Sequence, residues 1–262
     1  MTAVAILSTV NRNRTTDDNG VAVADQFNLV GAVTAPEVRV LGQQVVDQLR
    51  VLIITGQIPT GAHLVEAPLS ETFGVSRGPI RDALAKLEAE GLVESRRRGM
   101  VARGLTLHDI DELYAVREAI ETMALTIAAG ASREAWDTAL APLATMRTAA
   151  AAGDHLAYAH ADTAFHSCFY RISGHKRLED VWRQYEPTFG VLLELTTAED
   201  IDLGPSLDSH VRLHQLMVDG DVDKALPELR EHLLGSRTRL VNAFARMTGQ
   251  PAPADAAEEA SA

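Results

Sequence analysis

Residues 74–99, GVSRGPIRDALAKLEAEGLVESRRRG, constrain this chain more than any other stretch. Ser76 is an N-cap residue type, and Pro79 falls in the first helical turn, where a missing N–H costs little. With Pro79 at the third helical position, the Ser76 hydroxyl is left the Gly78 N–H to satisfy. Ile80, Ala83, Leu84 and Leu87 then recur at three- and four-residue steps as one apolar stripe. Arg77 and Arg81 fall one turn apart on a different face, and their guanidinium forks suit guanine edges or phosphates. Gly91 ends the helix in the C-cap manner. Leu92-Val93-Glu94 reads as a short strand, and Arg96-Arg97-Arg98-Gly99 as a hairpin tip carrying three positive charges. The plainer alternative is an amphipathic helix with solvated arginines.

The residues before it fit the first reading. Apolar side chains at 41, 45, 46, 49, 52 and 53 give Leu41–Ile54 a helical period, stopped by Gly56 and the turn Pro59-Thr60-Gly61. A short helix is expected over Pro68–Phe73, with Gly74-Val75 as the tight turn into the next one. Helix, helix, glycine turn, helix and hairpin make a winged helix-turn-helix.

A net charge of −12 suits a DNA-binding protein poorly until it is divided by region. Over 37–104, nine basic residues face eight acidic ones, a net +1, whereas over 105–247 thirteen face twenty-two, a net −9. Within 75–103, seven basic residues face four acidic ones. DNA responds to the local patch, and an acidic remainder helps orient it.

On these features residues 41–104 closely resemble the N-terminal domain of GntR-family transcription regulators. The resemblance is carried by Gly61 with Leu64, Leu69 with Gly74-Val75-Ser76-Arg77, Arg81 with Ala83-Leu84, Leu87, Gly91-Leu92-Val93 and the wing glycine, Gly99. It implies that Ser76, Arg77, Gly78 and Arg81 contact double-stranded operator DNA at the helix start. It also implies that the hairpin at Arg97 and Gly99 reaches the minor groove. There are two departures. An arginine that touches DNA from the second helix in the fatty-acid-responsive branch is Ala67 here, and Gly78 replaces a commonly larger residue.

From Thr106 onward nearly everything has a helical pattern. Thr106 can cap a helix with Asp109 as its capping-box partner, and Ile110, Leu113, Val116, Ile120 and Leu125 form its apolar face. Further helices are expected near 132–150, 154–173, 176–197, 204–219 and 222–247, punctuated by Gly153, Gly174, Pro205 and Gly220. Aromatic residues make up only 5% of the chain, so a second sheet has little to be built from. The expected fold is mainly α: a winged helix-turn-helix, then an all-α antiparallel bundle of six or seven helices. Its divisions are a flexible extension over 1–36, the DNA-binding domain over 37–104, an effector-binding and dimerisation domain over 105–247, and a disordered tail over 248–262. No run is long enough to span a bilayer. The start has no basic region of the signal-peptide kind, and a single cysteine fits a reducing cytoplasm.

Asp162 and His166, four apart, share one helical face, and His210 and His232 lie on later helices. A carboxylate and three imidazoles gathered in a bundle suit a divalent transition ion such as Zn²⁺, Ni²⁺ or Mn²⁺. Alone the pattern is open to chance among nine histidines. Residues 106–247, however, resemble the FCD effector domain of the FadR subfamily. Many members carry Asp-x-x-x-His, then a His opening a helix, then a His eleven residues past the Asp of a Gly-Asp turn, here Gly220-Asp221. The resemblance implies that Asp162, His166, His210 and His232 hold a metal. It also implies that Arg117 faces the cavity and holds an effector's carboxylate. The alternative for Arg117 is an i, i+4 salt bridge to Glu121, and both can hold together. His214, one turn from His210, is a rival ligand, an effector contact, an outer hydrogen-bond donor or a surface residue. Trp136 and Trp182 read as core or interface. His63, His108, His155, His160 and His175 have no partner at ligand spacing, and solvated or capping roles suffice for them.

The expected protein is a cytoplasmic, homodimeric, ligand-responsive regulator of the repressor kind, reading a roughly palindromic operator and answering a small organic acid. Two rivals use the same residues. One is a metal sensor in which the ion is the signal. The other is a metal-dependent enzyme, for which no general base or nucleophile is identifiable beside the four ligands.

Overall fold

The computed structural model of the protein describes residues 41–198, 200 and 202–249. The extension expected over 1–36 lies outside the described residues, as does the tail expected from 248, apart from Thr248 and Gly249. The chain forms two compact units that divide between Leu105 and Thr106.

In the first unit, α1 (Leu41–Ile54) forms where the apolar period predicts, and it buries Val45, Val46, Leu49, Leu52 and Ile53. A two-residue strand, β1 (His63–Leu64), leads into α2 (Glu66–Phe73). That helix begins two residues before Pro68. The proline then sits at the third helical position, where it has no backbone bond to lose. Gly74, at φ 65°, supplies the left-handed turn into α3 (Arg77–Ala89), whose Ile80, Ala83, Leu84 and Leu87 are all buried. Ser76 is the N-cap residue, but contrary to the sequence expectation its hydroxyl makes no capping bond. Pro79 at the third position removes the N–H that a capping oxygen usually meets, and the hydroxyl stays exposed.

At the other end of α3, Gly91 takes φ 79° and donates to Glu88 O, while Leu92 donates to Leu87 O. These two bonds make a Schellman close. Arg50 of α1 holds Glu90 through two bonds of 2.7 and 2.8 Å, both residues buried, and this fastens the end of α3. The wing is β2 (Val93–Arg96) and β3 (Gly99–Ala102), paired antiparallel with Arg96 opposite Gly99, so Arg97 and Arg98 make a two-residue turn. β1 adds to the far edge of β3, giving the order β1-β3-β2. β1 is too short to carry an alternating pattern, and only its pairing reveals it.

The second unit starts with α4 (Leu107–Ala128). Thr106 Oγ1 accepts from Asp109 N at 3.1 Å, and the Asp109 carboxylate accepts from Thr106 N at 2.8 Å. Thr106→Ala is therefore expected to cost about 1 kcal/mol. Urea unfolding followed by tryptophan fluorescence checks this, because both tryptophans, Trp136 and Trp182, lie in this unit.

The single helix expected over 132–150 is instead α5 (Arg133–Trp136), a 3-10 turn (Asp137–Ala139) and α6 (Leu140–Ala152). The interruption leaves Pro142 at the third position of the following helix, where a proline loses no backbone bond, although Pro187 and Pro227 lie inside continuous helices further on. Next come α7 (His155–Ser173), α8 (Lys176–Thr197), α9 (Gly204–Val218) and α10 (Val222–Thr248). His175 caps α8 by accepting from Leu178 N. α7 is the central helix, packed against α4, α6 and α8, while α10 lies along α4, α8 and α9. Among the described residues no helix is long and apolar enough to cross a membrane.

Candidate DNA-reading helix and candidate metal centre

At the start of α3, Ser76, Arg77, Gly78 and Arg81 are all exposed, as are Arg97 and Gly99 at the wing tip. Burial of the opposite stripe forces the arginines outward. Arg81 is 69% exposed, and its Nε and Nη2 donate to the two oxygens of Glu66 on α2 at 3.1 and 3.2 Å. The fork is thus paired with an acidic neighbour that any partner has to share or displace. At Gly78 an added Cβ would meet nothing within 4 Å, so packing does not demand glycine there. Its consequence is an approachable backbone. A helix N-terminus bearing two arginines and bare N–H groups can bind phosphate and read base edges.

In the second unit α7 presents Asp162 and His166, α9 presents His210 and α10 presents His232. One ligand atom from each lies within 4.8 Å of the others, and all four residues are buried. His214, by contrast, donates toward the Trp136 carbonyl at 3.1 Å, outside this group.

Hydrogen bonds assign the ring tautomers. His166 Nδ1 donates to Glu121 Oε2 at 2.8 Å, and His210 Nδ1 donates to the Ser206 carbonyl at 2.7 Å. When neutral, each ring therefore turns an Nε2 lone pair inward. His232 Nε2 lies 3.3 Å from His166 Nε2 and can donate to it. With a neutral ring, His210 Nε2 faces Asp162 Oδ2 at 3.2 Å, acceptor to acceptor, and neither His210 Nε2 nor Asp162 Oδ1 has a hydrogen-bond partner. Unpaired buried acceptors are costly, and a cation among them satisfies all four at once. The residues fit a divalent ion.

Their charge states suit it as well. Burial pushes His166 below its usual value against the pull of Glu121. Burial, joined by His210 and His166, pushes His232 well below it. Burial disfavours the Asp162 carboxylate, yet positive charge on His210 or His166, when either ring is protonated, and on Arg117 outweighs this and holds it far below the usual carboxyl range. The shifts favour neutral His166 and His232 and an ionised Asp162, the forms that ligation requires.

Arg117 lies one layer away, 1% exposed, its Nε donating to Glu121 Oε1 at 2.7 Å. The i, i+4 salt bridge weighed from the sequence is present. Burial opposes the guanidinium charge, but Glu121 prevails and raises Arg117 above its usual value. The guanidinium carbon sits 5.1 Å from the Phe189 ring centroid, 5.7 Å from Trp182 and 5.8 Å from Tyr114. Nη1 and Nη2 have no hydrogen-bond partner.

Sequence reasoning missed the second bond of Glu121. The four-residue step to Arg117 was visible, but His166 is 45 residues away. The i, i+4 match gave a sufficient partner and no reason to seek another.

Residues 41–101 match the family described as "Bacterial regulatory proteins, gntR family", and residues 112–235 match the FCD domain. The "Probable D-xylose utilization operon transcriptional repressor" of Paenarthrobacter nicotinovorans is 30% identical over 195 residues, spanning 74% of this chain and 84% of that one. The gluconate operon transcriptional repressor of Bacillus licheniformis is 29% identical over 197 residues, spanning 73% and 81%. A GntR transcriptional regulator from Rhodococcus sp. RHA1 shares the fold, with a TM-score of 0.59 at 23% identity over 77% of this chain and 98% of that one. These relatives are transcription regulators, not enzymes.

Proposed function

Because this chain belongs to the GntR family of DNA-binding transcription regulators, we propose that it is a repressor governed by a small organic acid bound beside a divalent transition ion. The observation that carries the acid is the outer edge of Arg117. Two buried guanidinium nitrogens without an acceptor, one residue removed from a cation-shaped cluster, suit a ligand carboxylate. Asp162, His166, His210 and His232 would hold the ion, and Zn²⁺, Ni²⁺ or Mn²⁺ suits these nitrogen and oxygen donors. When bound, it supplies positive charge that a second polar group of the ligand can meet. Arg117 fixes the ligand's carboxylate, Glu121 keeps Arg117 from turning away, and the aromatic rings around it exclude water.

Ser76, Arg77, Gly78 and Arg81, with Arg97 and Gly99 on the wing, would contact the operator in the cytoplasm. A homodimer would present two such heads to a two-fold site. Its contact face is proposed on α4, where Val116, Met123 and Ile127 are 39%, 51% and 42% exposed along one apolar stripe. The acid would act by reshaping the bundle, because the tetrad and Arg117 are closed to solvent and α4, α7 or α10 must yield to admit it.

The same closure favours a second reading, in which the ion alone is the signal, because an ion needs less room than an acid. One titration separates them. Binding to DNA flanking the protein's own gene is measured for metal-free protein, for zinc-loaded protein, and for zinc-loaded protein with small carboxylates. Gluconate is the first probe, since relatives repress a gluconate operon. The expected result is tight binding when zinc-loaded and release by an acid. A switch by zinc alone favours ion sensing, and indifference to both contradicts the effector reading.

A further inference from the structure

Glu121 touches both halves of the candidate site. One oxygen accepts from Arg117 Nε at 2.7 Å and the other from His166 Nδ1 at 2.8 Å, and Glu121 and His166 are both fully enclosed. Had Glu121 served only to neutralise Arg117, a two-pronged bond would satisfy the guanidinium better. Instead the carboxylate gives Arg117 a single bond, spends its second oxygen on the imidazole, and leaves Nη1 and Nη2 without a hydrogen-bond partner.

We propose that Glu121 is a positioning residue that couples the anion site at Arg117 to the cation site at His166, so that filling either one tightens the other. This rests on the metal and acid sites proposed above. The physical route is short. An imidazole that donates Nδ1–H to a carboxylate is held in orientation and becomes a stronger donor at Nε2. Arg117 draws on the same carboxylate and weakens that effect. When a second carboxylate occupies Nη1 and Nη2, the guanidinium charge is shared, and Glu121 pulls harder on His166. His166 Nε2 then binds a cation more tightly. Binding free energies are reciprocal, so the cation strengthens the anion site by the same factor.

Zinc alone, with the full-length protein stripped of metal, suffices as the probe. Titration against a chromophoric chelator is expected to show binding by wild type, weakened about ten- to a hundredfold in Glu121→Gln. The specific readout is the pair of imidazole Nδ1–H resonances of zinc-loaded, nitrogen-15-labelled protein. Arg117→Met frees Glu121 for His166, so the His166 signal should move downfield. The His210 signal, whose proton goes to the Ser206 carbonyl, should stay in place. In the Glu121→Gln background the same Arg117 substitution should leave the His166 signal unmoved. Should Arg117→Met fail to fold, Arg117→Lys keeps the charge and is expected to shift His166 in the same direction by less. A His166 signal indifferent to Arg117 in wild-type background overturns the coupling while leaving the metal site standing. A wild type that takes up no zinc overturns the metal site and the coupling with it.

Discussion

Arg81→Ala is expected to abolish specific operator binding while leaving the helical circular dichroism and metal uptake of the protein unchanged. The side chain is exposed and its removal opens no cavity, so the fold has little to lose. A bidentate arginine contact to a base discriminates by roughly ten- to a hundredfold. Read by the proposed homodimer, a two-fold operator would use that contact twice, so the combined loss would be on the order of a hundred- to ten-thousandfold. The whole margin of specific over non-specific binding is typically about 10³- to 10⁷-fold, so the loss removes most of it. Gel-shift titrations on operator and on scrambled DNA check this. Operator affinity should collapse toward the scrambled value, and full affinity in the variant excludes Arg81 as a reader. Glu66 bears on the same result. It holds the Arg81 fork through Nε and Nη2, so any base or phosphate contact either uses Nη1 or exchanges with that carboxylate.

His166→Ala is expected to eliminate zinc uptake and, with it, the stabilisation that the ion supplies. A ligand at a thousand times its dissociation constant stabilises the folded state by about 4 kcal/mol. A unit of this size shifts its Tm by roughly 2–4 °C per kcal/mol. Chelation should therefore lower the Tm of wild type by about 8–16 °C and that of His166→Ala hardly at all. The comparison within each variant matters, because the substitution also deprives the buried Glu121 of a partner and lowers the Tm for that reason alone. Thermal scans with and without chelator, beside metal analysis, separate the two. An unchanged metal content in His166→Ala contradicts the tetrad.

Legibility from the sequence followed the range of the forces involved. The stripe at Ile80, Ala83, Leu84 and Leu87, the glycine at 91 and the Thr106–Asp109 box are settled by neighbours within one or two turns, and the structure places each as read. Local reading went wrong in two places. The helix expected over 132–150 is interrupted at Asp137–Ala139, and the Ser76 hydroxyl, left only the Gly78 N–H by Pro79, makes no cap bond at all. β1 was invisible because two residues carry no period, and its partner β3 lies nearly forty residues on.

By itself, then, the chain's sequence determined most of the helices and the apolar stripe of α3, but not the break at Asp137–Ala139 or the buried face of α4, where Tyr114, Arg117 and Glu121 lie inside and Val116 outside. It also marked the exposed arginines at the head of α3, because burying one stripe of an amphipathic helix turns the other side outward. Only the tertiary structure decided that Glu121 serves His166 as well as Arg117, that His214 turns to Trp136, and that two buried acceptors face each other between Asp162 and His210. These depend on which helices lie side by side and how each is rotated about its axis. Rotation is set by packing across the bundle, and no local period records it.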